Sequence, residues 1–163
     1  MTSLRTLVGN MALVGLALLL GAGLYESVVL VPNFAADPPT SLEHFRLFMR
    51  VANPGSFFRV AAPVAELGLL VSLALSWRVT SSRWRYAVSV LLIFASDAVT
   101  FGFHYPRNHF LFDAPSTHSP SDLHRVVQEW ALGNWVRVAL VLSAFFLAIA
   151  ASRRNGNGQA STA

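Results

Sequence analysis

The stretch LVGNMALVGLALLLGAGLYESVVLV, residues 7–31, decides the fold. It holds one charged residue, Glu26, and is closed by Pro32. At a rise of about 1.5 Å per residue, a helix of this length is long enough to cross the roughly 30 Å hydrocarbon layer of a bilayer. A secretory leader is the competing reading, because Arg5 precedes the run and Gly21, Ala22 and Gly23 are small. Leader cores span only about 7–15 residues, whereas this run continues past Tyr25 and Glu26 as far as Val31. The run therefore reads as a transmembrane helix.

Three more runs of this kind follow, at about 57–77, 84–105 and 126–152. The second contains Pro63, where a kink is expected. The third is expected to stop before Pro106. The turn from Arg78 to Arg83 is short and polar, so the helices on either side run antiparallel. Between the first two spans, Thr40-Ser41-Leu42-Glu43 fits a capping box. Beyond it, Leu42, Phe45, Phe48, Met49 and Ala52 share one helical face, and Glu43, His44, Arg46 and Arg50 lie elsewhere. Asn53-Pro54-Gly55 ends the segment. This predicts a short amphipathic helix lying on the membrane surface or capping the bundle. A polar loop is expected from Arg107 to Pro120, and residues 153–163 read as a disordered tail. The fold class is all-α: an antiparallel four-transmembrane-helix bundle, one domain over residues 1–152, with a short amphipathic helix in the first outer loop.

Composition agrees with that reading. Of 163 residues, 54% are apolar and 12% charged, about half the charged share of a soluble protein. The absence of cysteine excludes disulfides, thiolate metal sites and thiol nucleophiles. The 12 basic residues are all arginine, and the net charge is +4. Their scatter at helix ends fits membrane orientation better than a nucleic-acid surface, so no nucleic-acid partner is expected. One end of the bundle would hold Arg5, Arg78, Arg83, Arg85, Arg153 and Arg154. The other would hold Arg46, Arg50, Arg59, Arg107 and Arg125. The short arginine-rich turn, flanked by Trp77, Trp84 and Tyr86 as an aromatic belt, places both termini in the cytoplasm of a cell (inner) membrane protein.

An ionisable group in hydrocarbon costs several kcal/mol and turns toward the bundle interior. Measured from the outer helix ends, Glu26 lies about 9 Å deep, Glu66 about 13 Å, Asp97 about 12 Å and Arg137 about 16 Å. Asp97 and His104 are seven apart and share a face, with Thr100 between them. Trp130, Asn134 and Arg137 share a face of the last helix. Every span thus brings polar groups to one level, which predicts a pocket open toward the outer side. A buried ion-pair network, with Glu66 or Asp97 against Arg137, is the structural alternative. Three acids against one deep arginine leave an excess of negative charge that such a network does not absorb.

A buried carboxylate can act as a general base, and His104 or Arg137 can stabilise an enolate or phenolate. That combination suits proton abstraction from an acidic phenolic or enolic compound, whose carbanion can react with oxygen without a cofactor. Glu26, Glu66, Asp97 and His104 are oxygen and nitrogen donors suited to iron or manganese if a metal is bound. The di-iron bundle signature Glu-x-x-His is absent, however. His104 and His124 are the candidate axial ligands of a haem.

Three stretches resemble the anthrone-oxygenase-like family of small four-helix membrane proteins. They are GAGLYESVVLVP (residues 21–32), HYPRNH (104–109) and WALGNWVR (130–137). The last, with its Trp-x3-Asn-x2-Arg spacing, is the most specific. The resemblance implies a cofactor-independent oxygenase that converts anthrones or similar polycyclic phenols to quinones. It carries over Tyr25, Glu26, Pro106, Asn108, Trp130, Asn134 and Arg137 as family-pattern positions. Glu66, Asp97 and His104 come from depth and spacing. The expected site has Glu66, Asp97, His104, Asn134 and Arg137 in catalysis. Tyr25, Glu26, Phe101, Asn108 and Trp130 are expected to bind substrate. No cofactor is expected, and the partners are the lipid bilayer and a lipophilic small molecule. The alternatives are a non-enzymatic membrane protein (a small transporter, an assembly factor or a structural partner, with a homo-oligomer as one form) or a metal- or haem-binding redox protein.

Overall fold

The computed structural model describes residues 2–157. The chain runs through α1 (Thr2–Tyr25), a π-helical turn (Glu26–Leu30), α2 (Val31–Ala35), α3 (Thr40–Phe48), α4 (Pro54–Leu75) and α5 (Thr80–Val99). A second π-helical turn (Thr100–His104), α6 (Tyr105–Phe112), a 3-10 turn (Pro115–Thr117) and α7 (Pro120–Asn157) complete it. Four continuous rods, Leu4–Ala35, Pro54–Leu75, Thr80–Phe112 and Pro120–Arg153, are long and apolar enough to cross a bilayer. The antiparallel four-helix bundle expected from the sequence is thus the observed architecture, and the chain is a multi-pass membrane protein.

Its side chains are distributed as lipid demands. Leu7, Met11, Val14 and Leu18 of α1, Val60, Val64 and Leu67 of α4, Leu91 of α5, and Leu132 and Phe146 of α7 face outward. Ser72, Ser76, Ser82, Ser89, Ser96, His104 and Asn134 are buried. In water this arrangement would be inverted. In a bilayer, apolar side chains gain nothing by leaving the lipid, so helices associate through small residues and interhelical hydrogen bonds. Both devices are present. Ala12 and Gly15 of α1 meet Ala65 and Gly68 of α4 so closely that a Cβ on Gly15 would lie 2.9 Å from the Ala65 Cβ. Ser82 and Ser89, seven apart on α5, donate to the Ala151 and Ala144 carbonyls of α7 at 3.1 and 3.0 Å. The α4–α5 seam is the loosest of the four between neighbouring spans.

Two spans outrun their expected ends. The first passes Pro32 to Ala35, and the third passes Pro106 to Phe112, occupying part of the expected polar loop. Proline in a helix lacks an N–H and crowds the carbonyl four residues back. Each proline here follows a π-helical turn by two residues. In those turns Val31 N–H bonds the Glu26 carbonyl and Tyr105 N–H bonds the Thr100 carbonyl, five residues back in each case. The wider turn moves the crowded carbonyl aside, and the helix continues. α7 begins at Pro120, before the expected residue 126, and ends at Asn157. Residues 153–157 of the expected tail are therefore helical, and 158–163 lie outside the described residues.

α3 caps the bundle at the end opposite the termini. Leu42 is fully buried, and Phe45 meets Phe34 edge-on at 5.2 Å. Phe48 and Ala52 depart from the expected face and are exposed. The Arg46 guanidinium beside Glu43, at 2.8 Å, holds that carboxyl below the usual carboxylate range. Beneath α3 a small apolar core of Val31, Phe34, Leu111, Leu123, Val127 and Trp130 ties α2, α6 and the start of α7 together. At the termini end, Trp77 and Trp84 are exposed beneath Arg83 and Arg85. Tyr86 does not belong to that belt. It is buried, with its hydroxyl between Ser72 and Ser152.

Candidate functional site

A cavity of about 480 Å³ lies within the α3 half of the bundle and takes its lining from all four spans. The first π-helical turn begins with Glu26 and the second ends with His104, so the two irregular turns aim these side chains inward. Such turns are frequent at functional sites. α4 adds Arg59, Ala62, Pro63 and Glu66, which repeat at helical spacing on one face. α5 adds Ser96 and Asp97, and α7 adds Trp130, Asn134, Arg137 and Val138.

The structure brings together Glu26, Glu66, Asp97, Phe101, His104, Asn108, Trp130, Asn134 and Arg137 around this space. Tyr25 is the exception. It is exposed and absent from the lining. Consecutive helical residues point about 100° apart, so a helix that turns Glu26 inward turns Tyr25 outward. Phe101 stands at the rim, mostly exposed, and packs edge-on against Tyr105 at 5.1 Å.

One wall is a polar network in which Glu26 Oε2 and Arg137 Nε complete no hydrogen bond among the described residues. Asn134 is fully buried and donates to the Gly23 carbonyl at 3.3 Å and to Ser27 Oγ at 2.9 Å. Its Oδ1 accepts from Arg137 Nη1 at 3.1 Å. Arg137 faces the Glu26 carboxylate at 3.8 Å and lies over the Phe58 ring. The partner of the deep arginine is therefore Glu26, not Glu66 or Asp97, although Asp97 lies within its electrostatic reach. Glu26 sits on the neighbouring helix at matching depth, whereas Glu66 and Asp97 face each other across the α4–α5 seam within hydrogen-bonding reach.

His104 is buried with its ring edge-on to Trp130 at 4.7 Å between centroids. Its Nε2 lies against the Gly133 backbone, and neither ring nitrogen completes a hydrogen bond among the described residues. A side chain on Gly133 would fall 2.5 Å from Phe103, so only glycine lets this part of the third span approach α7. Trp130 Nε1 donates to Asn108 Oδ1 at 2.7 Å. Just outside, Arg107 binds Glu129 at 2.8 Å and stacks on Phe103.

Among the described residues, no three His, Asp or Glu side chains converge as a metal site, so Glu26, Glu66, Asp97 and His104 do not form one ligand set. His124 is exposed, whereas His104 is buried. A second chamber of about 460 Å³ lies under α3 and shares Glu26, Gly55, Arg59, Tyr105, Asn108 and Trp130 with the inner cavity. Sequence reasoning missed this vestibule and its arginine, Arg59. The signal was present: Arg59 and Glu66 are two helical turns apart on one face.

Fold and site together define a small multi-pass membrane protein, a four-helix bundle hollowed and polar at one end of its interior. The chain belongs to the anthrone oxygenase family, whose model matches residues 48–147, well over half its length. The match covers α4 through most of α7 and leaves Glu26 outside it. No curated protein and no solved structure matches the chain.

Proposed function

We propose that the protein is a cofactor-independent oxygenase acting on a lipophilic anthrone-type phenol. The observation that carries this reading is the facing pair Glu66 and Asp97 in a cavity that Arg137 also lines. Family membership supports it. So does the lining, in which a few polar groups stand among Leu19, Phe58, Ile93, Val138 and Val141, as suits a flat apolar ligand.

In the proposed reaction the acid pair takes a proton from the methylene carbon between the two aromatic rings. The electron pair left on that carbon is delocalised onto the ring carbonyl as an enolate. Arg137 and the His104 ring stabilise that oxyanion, a role worth about 3–4 kcal/mol for a well-aimed donor. Molecular oxygen adds at the carbon, and the peroxide takes up the proton. The pair then removes the second hydrogen of that carbon as a proton, and the O–O bond breaks. Hydroxide leaves and takes up that proton, giving the quinone carbonyl and one water. Oxygen is the oxidant and the methylene is oxidised by four electrons.

Asn134 acts as a positioning residue, since its amide is fully engaged in holding α1, α7 and Arg137. The arginine distribution further supports placing the termini end in the cytoplasm and the chambers toward the outer face of the inner membrane. The test is oxygen uptake by purified protein with an anthrone. Glu66→Gln and Asp97→Asn should each slow turnover by about 100-fold or more. Asp37→Asn, exposed and outside both chambers, should be unaffected. Equal rates in all three would remove the proposed base.

A further inference from the structure

Three arginines line the two chambers: Arg46, Arg59 and Arg137. Arg46 is held by Glu43 at 2.8 Å, and Arg137 faces Glu26 at 3.8 Å. The vestibule acid Asp113 is bound by His109 at 2.9 Å. Arg59 alone of the three has no carboxylate partner among the described residues. Its Nε donates to the Gly55 carbonyl at 3.3 Å and its Nη2 to Ser56 Oγ at 3.3 Å. A guanidinium carries five N–H donors, so these contacts leave several free. They also hold the group against the first turn of α4, at the neck where the chambers join.

The cavity therefore has an acid pair inside and an open cation at its mouth. Arg59 and Glu66 lie on one face of α4, seven residues and about 10 Å apart along the axis. We propose that the ligand is an amphiphile: a flat lipophilic ring system bearing a carboxylate-type acidic group, bound by Arg59 at the mouth of the cavity. The ring class rests on the function proposed above, while the acidic group rests on Arg59. Arg59 is itself exposed. A guanidinium binds a carboxylate through paired N–H donors, and such a contact discriminates against a neutral analogue. The acids nearest the neck do not oppose it, because Glu26 faces Arg137 and Asp113 faces His109.

The experiment measures binding, not turnover, so its outcome is independent of oxygenase activity. The probes are anthraquinone-2-carboxylate and its methyl ester, titrated in neutral-detergent micelles and followed by tryptophan quenching. The variants are Arg59→Gln and, as a control, Arg50→Gln, whose side chain lines neither chamber. Arg59→Gln should weaken the carboxylate probe by about tenfold or more. It should leave the ester unchanged, which also shows that the variant is folded. Arg50→Gln should change neither. Equal effects of Arg59→Gln on both probes, or none on either, overturn the proposal. So does a matching loss in Arg50→Gln. Phosphatidylglycerol added to the micelles separates a ligand site from a lipid-headgroup site. The carboxylate probe should stay bound, and its displacement by the lipid would show that Arg59 serves a headgroup instead. Carboxylate selectivity without oxygen uptake would sink the oxygenase reading and leave this one standing.

Discussion

Arg137 and Glu26 are the best-buried opposite charges among the ion pairs described, and they join the last helix to the first. A buried pair contributes little net stability over an apolar one, yet breaking it leaves a charge stranded. Arg137→Leu should therefore destabilise the fold by about 3–5 kcal/mol, read as a lower midpoint of thermal unfolding in detergent. Combining it with Glu26→Leu should restore most of the loss. A double variant as unstable as the single one would show that the pairing is not what matters. Depth and spacing locate both residues from sequence, because each has few ways to escape hydrocarbon. Sequence does not say which acid meets the arginine, since that depends on how neighbouring helices are rotated. Tyr25 departs from expectation for a different reason. The expected site pairs it with Glu26, and adjacent positions on a helix cannot both face one interior.

At the scale of elements, small residues set how closely the helices approach, around a core that also holds Leu16, Leu69, Tyr86 and Ile93. Gly15 sits where the Ala65 backbone leaves no room, with Ala65 Cα 3.0 Å from the point a Cβ would occupy. Gly21, six residues on, has nothing within 4 Å. Gly15→Ala should cost about 1–3 kcal/mol by forcing α1 and α4 apart. Gly21→Ala should be neutral or slightly stabilising, through helix propensity alone. Equal effects of the two on thermal unfolding would contradict this packing. The serine and alanine positions are visible in the sequence but read only as parts of apolar runs. Their pairing depends on the helix order around the bundle. The π-helical turns are hidden for a related reason. Pro32 and Pro106 read as stops, because a proline at a helix end and one tolerated by a widened turn look the same in sequence. The consequence is functional, since the two turns carry Glu26 and His104.

At the scale of the whole molecule, four apolar rods surround an interior that is close-packed toward the termini and hollow toward α3. The number of spans follows from hydropathy alone. The hollow end follows from the few charges that hydrocarbon would not tolerate. The vestibule does not, because α2 and α6 continue the first and third spans and α3 folds over their ends, and that is tertiary information. These polar groups line a chamber that water should reach, and they do not point into lipid. The chain contains no cysteine, so single cysteines report directly. Ala62→Cys and Ser96→Cys face the chamber, and Val64→Cys, two residues from the first, faces lipid. Each is treated in membranes with a small charged methanethiosulfonate. The chamber predicts rapid labelling of the first two, slowed by an anthraquinone ligand, and none of the third. Labelling of Val64→Cys with protection of the other two would contradict it.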